Sequence, residues 1–313
     1  MRKITIDNFL KGILPGNVAP HGNFVDDNVS GTPGQLLDGG CFPFVKGKLG
    51  YLAPAPIATS ITNMSTIITD TPRNIVVWNA NSGIAYAIGS AGRVYQITGT
   101  GINVGTNNAV YPRAIASASN GYDIIIFEAN DVTYLIYSYD ASGQGRLGWT
   151  SDPTVAGPTF TEGNNLSNAA AMPNPMTIGA DSNLYIGAGN KIDRILRNIA
   201  IAIQLNVAPA IPFDFKITSI ANYADFLVAI AYRNAGDNAN GYAAECRVYF
   251  WDYVSPTFDR VITFYDSVSG ALYVKDGILY AFTEGFANLG KLRVFNGNQF
   301  PVVAYYGVST STS

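Results

Sequence analysis

The sequence predicts an all-β fold, a β-propeller of about six blades preceded by an irregular N-terminal arm, and three observations carry that reading. Short runs of β-branched and aromatic residues, bounded by Gly, Asn or Asp, recur along the 313 residues. A turn followed by a basic residue and a branched apolar one occurs six times at near-regular spacing. Helical periodicity is scarce, which removes the α/β classes.

Residues 1–40 read as the arm and residues 41–313 as the propeller domain. The best helical stretch is Asp7 to Leu14, where Phe9, Leu10, Ile13 and Leu14 have helical spacing, but Gly12 and Pro15 keep it short. Six glycines follow, at positions 16, 22, 31, 34, 39 and 40, so this part is expected to be an arm rather than a domain. Its apolar residues, Ile4, Ile6, Phe9, Leu10, Ile13 and Leu14, still need burial and are expected to find it on another chain, the competing reading being that the arm packs against its own propeller and closes it. No export signal is expected, because Asp7, Asn8 and Lys11 interrupt the apolar core that one needs.

Strands are expected at residues 74–78, 84–88, 123–127, 133–139, 183–187 and 277–281. Period-two alternation over residues 199–207 predicts a further half-buried strand, with Ile199, Ile201, Ile203, Leu205 and Val207 on one face. The repeated unit is Gly47-Lys48-Leu49, Gly92-Arg93-Val94, Gly145-Arg146-Leu147, Asn190-Lys191-Ile192, Cys246-Arg247-Val248 and Gly290-Lys291-Leu292. Its basic positions are 45, 53, 45, 56 and 44 residues apart, close to one four-stranded blade. The cation has two readings: part of a ring around a channel, or a solvated charge at the start of an outer strand that discourages edge pairing. The second is the default.

A second turn recurs in residues 78–83, 139–143 and 265–270, each an aromatic residue, an Asx residue and then Ser-Gly. A closed ring needs a terminal strand to finish its last blade, and residues 3–6 or 300–306 are the candidates. Two polar stretches, residues 151–175 and 234–241, read as long loops on one rim.

Chemistry is sparse. The composition is 48% hydrophobic and 13% charged with net charge −3, which excludes disorder and leaves no basic stripe for a nucleic-acid backbone. No apolar run approaches the roughly 20 residues of a membrane-spanning helix. His21 is the one histidine and lies in a Pro- and Gly-rich stretch, so histidine catalysis is not expected. Cys41 and Cys246 have neither metal spacing nor a disulfide framework and read as buried thiols, with a single bridge left open. Asp26-Asp27-Asn28, Asp237-Asn238 and Asp140-Ala141-Ser142-Gly143 lack the ligand alternation of a calcium loop and read as turns. Residues 138–143 partly match a sialidase Asp box, which would also need Arg73, Arg113 and Arg233 to converge on a carboxylate. No catalytic, cofactor-binding or metal-binding residue is therefore assigned, and no cofactor is expected.

This acidic, lysine-poor, Asn- and Gly-rich propeller with the arm Asn28-Val29-Ser30-Gly31-Thr32-Pro33-Gly34-Gln35-Leu36-Leu37-Asp38-Gly39-Gly40 resembles structural tail proteins of tailed bacteriophages. The resemblance is one of style and carries no functional residue. It implies a non-enzymatic virion component of the tail or neck, a nozzle, hub or ring protein made in the host cytoplasm. Its partners would be other virion proteins and copies of itself in a ring. Two other classes stand beside it: a module whose loops hold a glycan or host receptor, and an enzyme acting on polysaccharide, which would need a cleft with paired carboxylates.

Overall fold

The structure is a computed structural model that describes residues 41–45, 48–54, 71–79, 84–98, 101–102, 109–111, 120–141, 143–154, 160–169, 172–233, 244–265, 267–285 and 289–307. The chain divides into two compact units, Met1–Thr62 and Asn63–Ser313. The first unit contains an antiparallel hairpin, β1 (Cys41–Val45) with β2 (Lys48–Pro54), and a bulge between Phe42 and Phe44. The expected helix at residues 7–14 and the candidate strand at residues 3–6 lie outside the described residues.

The second unit is all-β, with no helix among its described residues, and is built as a propeller of five antiparallel blades that follow one another along the chain. Blade 1 is β3 (Pro72–Asn79), β4 (Ile84–Gly89) and β5 (Val94–Thr98), with β6 (Gly101–Ile102) and β7 (Ala109–Tyr111) both on β5. Blade 2 is β8 (Gly121–Ala129), β9 (Val132–Ala141), β10 (Gln144–Thr150) and β11 (Thr161–Ala169). Blade 3 is β12 (Met176–Ile178), β13 (Leu184–Ala188), β14 (Lys191–Ile195) and β15 (Ile203–Gln204). Blade 4 is β16 (Lys216–Tyr223), β17 (Phe226–Arg233), β18 (Glu245–Trp251) and β19 (Arg260–Phe264). Blade 5 is β20 (Ser267–Lys275), β21 (Ile278–Gly285), β22 (Leu289–Val294) and β23 (Val302–Gly307).

The first strand of each blade packs against the first strand of the next, from β3 through β8, β12 and β16 to β20, so these five are the inner strands. Polar side chains tie them together there. Asp123 on β8 accepts from the Asn74 amide of β3 and from the Met176 N–H of β12, and Ser219 on β16 accepts from the Leu272 N–H of β20. Burial holds the Asp123 carboxyl above its usual proton affinity, with the donors from Asn74, Met176 and Ile124 working against that shift.

Apolar side chains fill the space between blades in four clusters. Tyr86, Ile88 and Val94 meet Ile124, Leu135 and Tyr137 between blades 1 and 2. Phe127, Ile136 and Leu147 meet Leu184, Ile186 and Ile195 between blades 2 and 3. Tyr185 and Ile192 meet Ile217, Leu227 and Trp251 between blades 3 and 4, and Val228, Ile230 and Val248 meet Leu279 and Ala281 between blades 4 and 5. Period-two alternation explains the economy of β17: Leu227, Ala229 and Ala231 face blade 3, while Val228 and Ile230 face blade 5. At the junction of blades 1 and 2, Gly121 donates its N–H to the Ser90 carbonyl, and a Cβ there would meet the Gly89 carbonyl oxygen at 2.2 Å.

Several sequence expectations need correction. The described residues form five blades, not six, because the Lys48 repeat falls on β2 of the separate hairpin. The other five cations are equivalent: Arg93 stands one residue before β5, and Arg146, Lys191, Arg247 and Lys291 lie on β10, β14, β18 and β22, always the third strand. A third strand is paired on both sides and stands away from the axis, so these cations neither protect an edge nor ring a channel.

Residues 199–207 do not form one strand. Only Ile203 and Gln204 pair, with Ile195 and Arg194. Asn206 then turns left-handed at φ 53°, and its N–H goes to the Asp193 carboxylate instead of to a ladder. Of the three copies of the second turn motif, two join antiparallel neighbours, β3 to β4 and β9 to β10, as hairpin chemistry predicts, and the third runs into β20 instead. Residues 151–175 are not one loop, since β11 occupies nine of them, and residues 234–241 lie outside the described residues. At the C-terminal end, β23 supplies the outer strand of blade 5, as expected of residues 300–306.

Candidate binding surfaces

Two surfaces stand out, one polar and one apolar. The polar one is an open pocket of about 640 Å³ lined by Asn130, Asp131, Asp181, Ser182, Asn183, Leu196, Arg197 and Asn198. Three connections build it: the two-residue turn between β8 and β9, the turn between β12 and β13, and the segment that leaves β14. Asn130 and Asp131 both have positive φ, 49° and 61°, the conformation of a type I′ hairpin turn, which Asn and Asp tolerate best after glycine.

Hydrogen bonds fix the inner wall. The Asn130 N–H donates to the Arg197 carbonyl at 2.7 Å, and the Arg197 N–H donates to Asn183 Oδ1 at 2.9 Å, which ties blade 2 to blade 3. Asp181 accepts from the Asn183 backbone and side-chain amides and from the Tyr185 hydroxyl. Behind it, Tyr185 meets Trp251 edge-on and Tyr253 at a tilt. The Tyr253 hydroxyl accepts from the Ala180 N–H and donates to Asn222 Oδ1, and burial pushes its proton affinity up to about 12. At the outer wall the Arg197 guanidinium meets Glu128 at 3.1 Å, with both side chains about half exposed.

The apolar surface is one face of blade 5. Ala271 pairs with Phe282 and Tyr273 with Tyr280, so these four side chains share the face of the sheet that points away from blade 4. Tyr273 is 53% exposed and Phe282 39% exposed, whereas Leu279 and Ala281 on the opposite face are fully buried. At the other end of the series, Ile75 and Val77 on β3 of blade 1 are also exposed. Among the described residues no apolar cluster joins blade 5 to blade 1.

The arginines that a sialidase-like site would need do not come together. Arg73 is on blade 1, Arg113 lies outside the described residues, and Arg233 on blade 4 is held by Asp214 at 2.9 Å and Glu245 at 2.6 Å. Arg247 also binds Glu245, and both guanidiniums lie over the Phe215 ring, at 5.0 and 4.6 Å. Burial acts to lower the proton affinity of Arg247, and its hydrogen bonds to Glu245 and Tyr249 together with their charges more than offset this, leaving a fixed cation in a compensated cluster.

Asp140 turns inward, where Asn120 and Tyr122 donate to it, and Asp193 accepts from Ser167 and Asn206. Cys246 is a buried thiol. His21, Asp26, Asp27, Asn28, Asp237 and Asn238 lie outside the described residues, and among the described residues no three acidic, His or Cys side chains gather as a metal site. The pocket was not visible in the sequence, since its outermost turns are more than 60 residues apart and each reads as ordinary hairpin chemistry.

No known protein family matches the chain, and neither does any curated protein. Solved structures do match. The chain is similar to the computationally designed Ika8 protein, at 14% identity and TM-score 0.41 over 73% of this chain and 60% of that one. It is similar to the β-propeller domain of Myceliophteria thermophila Cps50 (Swd1), at 10% identity and TM-score 0.47 over 77% and 74%. It is also similar to the α-L-arabinanase of Cellvibrio cellulosa, at 12% identity and TM-score 0.41 over 74% and 95%. The blade assignment rests on strand pairing and on the four apolar clusters, independently of these likenesses.

Proposed function

We propose that this protein is a non-enzymatic structural component of a multiprotein assembly, and that it works by packing sheet on sheet with neighbouring copies of itself. The observation that carries the proposal is the open face of blade 5. Ala271, Tyr273, Tyr280 and Phe282 present the same residue types that fill the four inter-blade clusters, and solvated sheet faces normally alternate to polar residues.

Ile75 and Val77 at the opposite end of the series supply a second apolar surface, so one chain carries both halves of a further junction. A contact of blade 5 on one copy with blade 1 on the next is heterologous, and such contacts build a ring when the rotation between copies closes and a filament when it does not.

The assignment of that assembly to the tail or neck of a tailed bacteriophage is supported by the sequence style alone, the low charge and the Gly-rich arm. Immunogold labelling of purified tailed particles tests it. Gold at the tail or neck is the expected result, and label confined to unassembled protein would contradict it.

A further inference from the structure

The geometry points to the pocket between blades 2 and 3 as a binding site for a neutral, hydroxyl-rich ligand, a short oligosaccharide. Its volume of about 640 Å³ falls within the roughly 300–1,000 Å³ typical of ligand sites. Seven of its eight lining residues carry hydrogen-bonding side chains, and Leu196 is the one apolar member, so an apolar ligand has little to bury there.

Charge narrows the ligand further. Asp131 and Asp181 line the pocket and Glu128 stands at its edge, against the single cation Arg197, so the pocket repels anions. A bare metal ion finds no set of free carboxylates, because Asp181 already accepts from Asn183 and Tyr185. What remains is a mixed row of donors and acceptors. Asp131 and Asn198 accept or donate from the outer wall, Ser182 has a hydroxyl, and the guanidinium of Arg197 keeps donors beyond the one spent on Glu128. Vicinal sugar hydroxyls, each donor and acceptor at once, match such a row, while a ligand with one kind of hydrogen-bonding group does not.

The site is also preorganised. Arg197 is held through its own carbonyl and N–H by Asn130 and Asn183, and Asp181 is held by Tyr185, whose ring is packed on Trp251 and Tyr253. Binding therefore orders few side chains, which lowers the entropic penalty that weak ligands otherwise meet. No aromatic ring lines the pocket, so recognition goes through hydroxyl groups rather than by stacking on a sugar face.

The test is a titration of the intact chain with maltotriose, cellotriose and tri-N-acetylchitotriose, with 3′-sialyllactose as the anionic probe, followed by NMR or calorimetry. At least one neutral trisaccharide is expected to bind with Kd at or below about 1 mM, and Asp131→Gly and Arg197→Ala are each expected to weaken it at least about tenfold. Alanine is avoided at both Asn130 and Asp131, whose positive φ it would strain, and glycine is used at Asp131 because it keeps that conformation. A melting temperature unchanged in Asp131→Gly shows that the loss is one of contact, since glycine keeps the φ of 61° and Asp131 lies on an exposed turn. No binding by any neutral probe, binding that survives both substitutions, or binding of the sialylated probe alone would each overturn the proposal.

Discussion

Strands β17 and β21 occupy the same place in successive blades and are almost equally apolar, yet they differ in what covers them. Every side chain from Leu227 to Ala231 is buried, alternately against blade 3 and blade 5. On β21 only Leu279, Ala281 and Thr283 are buried, and Phe282 between them is exposed. The sequence of a blade is thus written for two neighbours, and blade 5 has one among the described residues. An uncovered face with the composition of a junction is the signature of a docking surface rather than of a solvated one.

The comparison breaks first at the packed junction. Ile230→Ala removes a fully buried side chain between blades 4 and 5 and should cost about 2–5 kcal/mol, measured by denaturant unfolding. A loss near zero would mean that this junction carries no more weight than the open face. Gly121→Ala tests a tight contact between blades 1 and 2, where the added carbon meets the Gly89 backbone oxygen, so overpacking of about 1–3 kcal/mol is expected. An unchanged unfolding midpoint would show that blades 1 and 2 can separate freely.

A third, smaller effect concerns Asp193. It is fully buried, and desolvation raises its proton affinity against the donors from Ser167 and Asn206, so the folded state binds this proton more tightly than the unfolded chain does. A raised carboxyl contributes most to stability at low pH and loses that contribution as pH rises through its folded-state value. Melting of the protein beside Asp193→Asn should therefore show the native chain gaining on the variant as pH falls through the raised folded-state value of this carboxyl. The opposite trend would show that the hydrogen bonds dominate. Smallest of all is Phe282→Ala, expected to change the stability of the isolated chain by no more than about 0.5 kcal/mol because among the described residues no second blade covers its ring.

Much of this fold was legible because its signals are local. The run from Thr133 to Tyr139 is β-branched and aromatic, and it lies inside β9 (Val132–Ala141). The turn-plus-cation repeat found the third strand of all five described blades. What failed depended on partners distant in sequence. Alternation over residues 199–207 could not reveal that the Asp193 carboxylate takes the Asn206 N–H and ends the pairing after two residues. Asp131 and Arg197 are ordinary residues in their own turns and become a pocket only when blades 2 and 3 are set side by side. The blade count miscarried for a related reason, since Gly47-Lys48-Leu49 matches the other repeats locally while its hairpin belongs to the other compact unit.

The central claim, that the open face of blade 5 joins copies of the chain, is tested most directly by sedimentation velocity across a concentration series. The intact protein is compared with a Tyr273→Ser, Phe282→Ser double variant. The account predicts larger, concentration-dependent species for the intact protein and a monomer for the variant, with closely similar melting temperatures at low concentration. A protein that stays monomeric throughout, or a variant that assembles as readily as the intact chain, would contradict it.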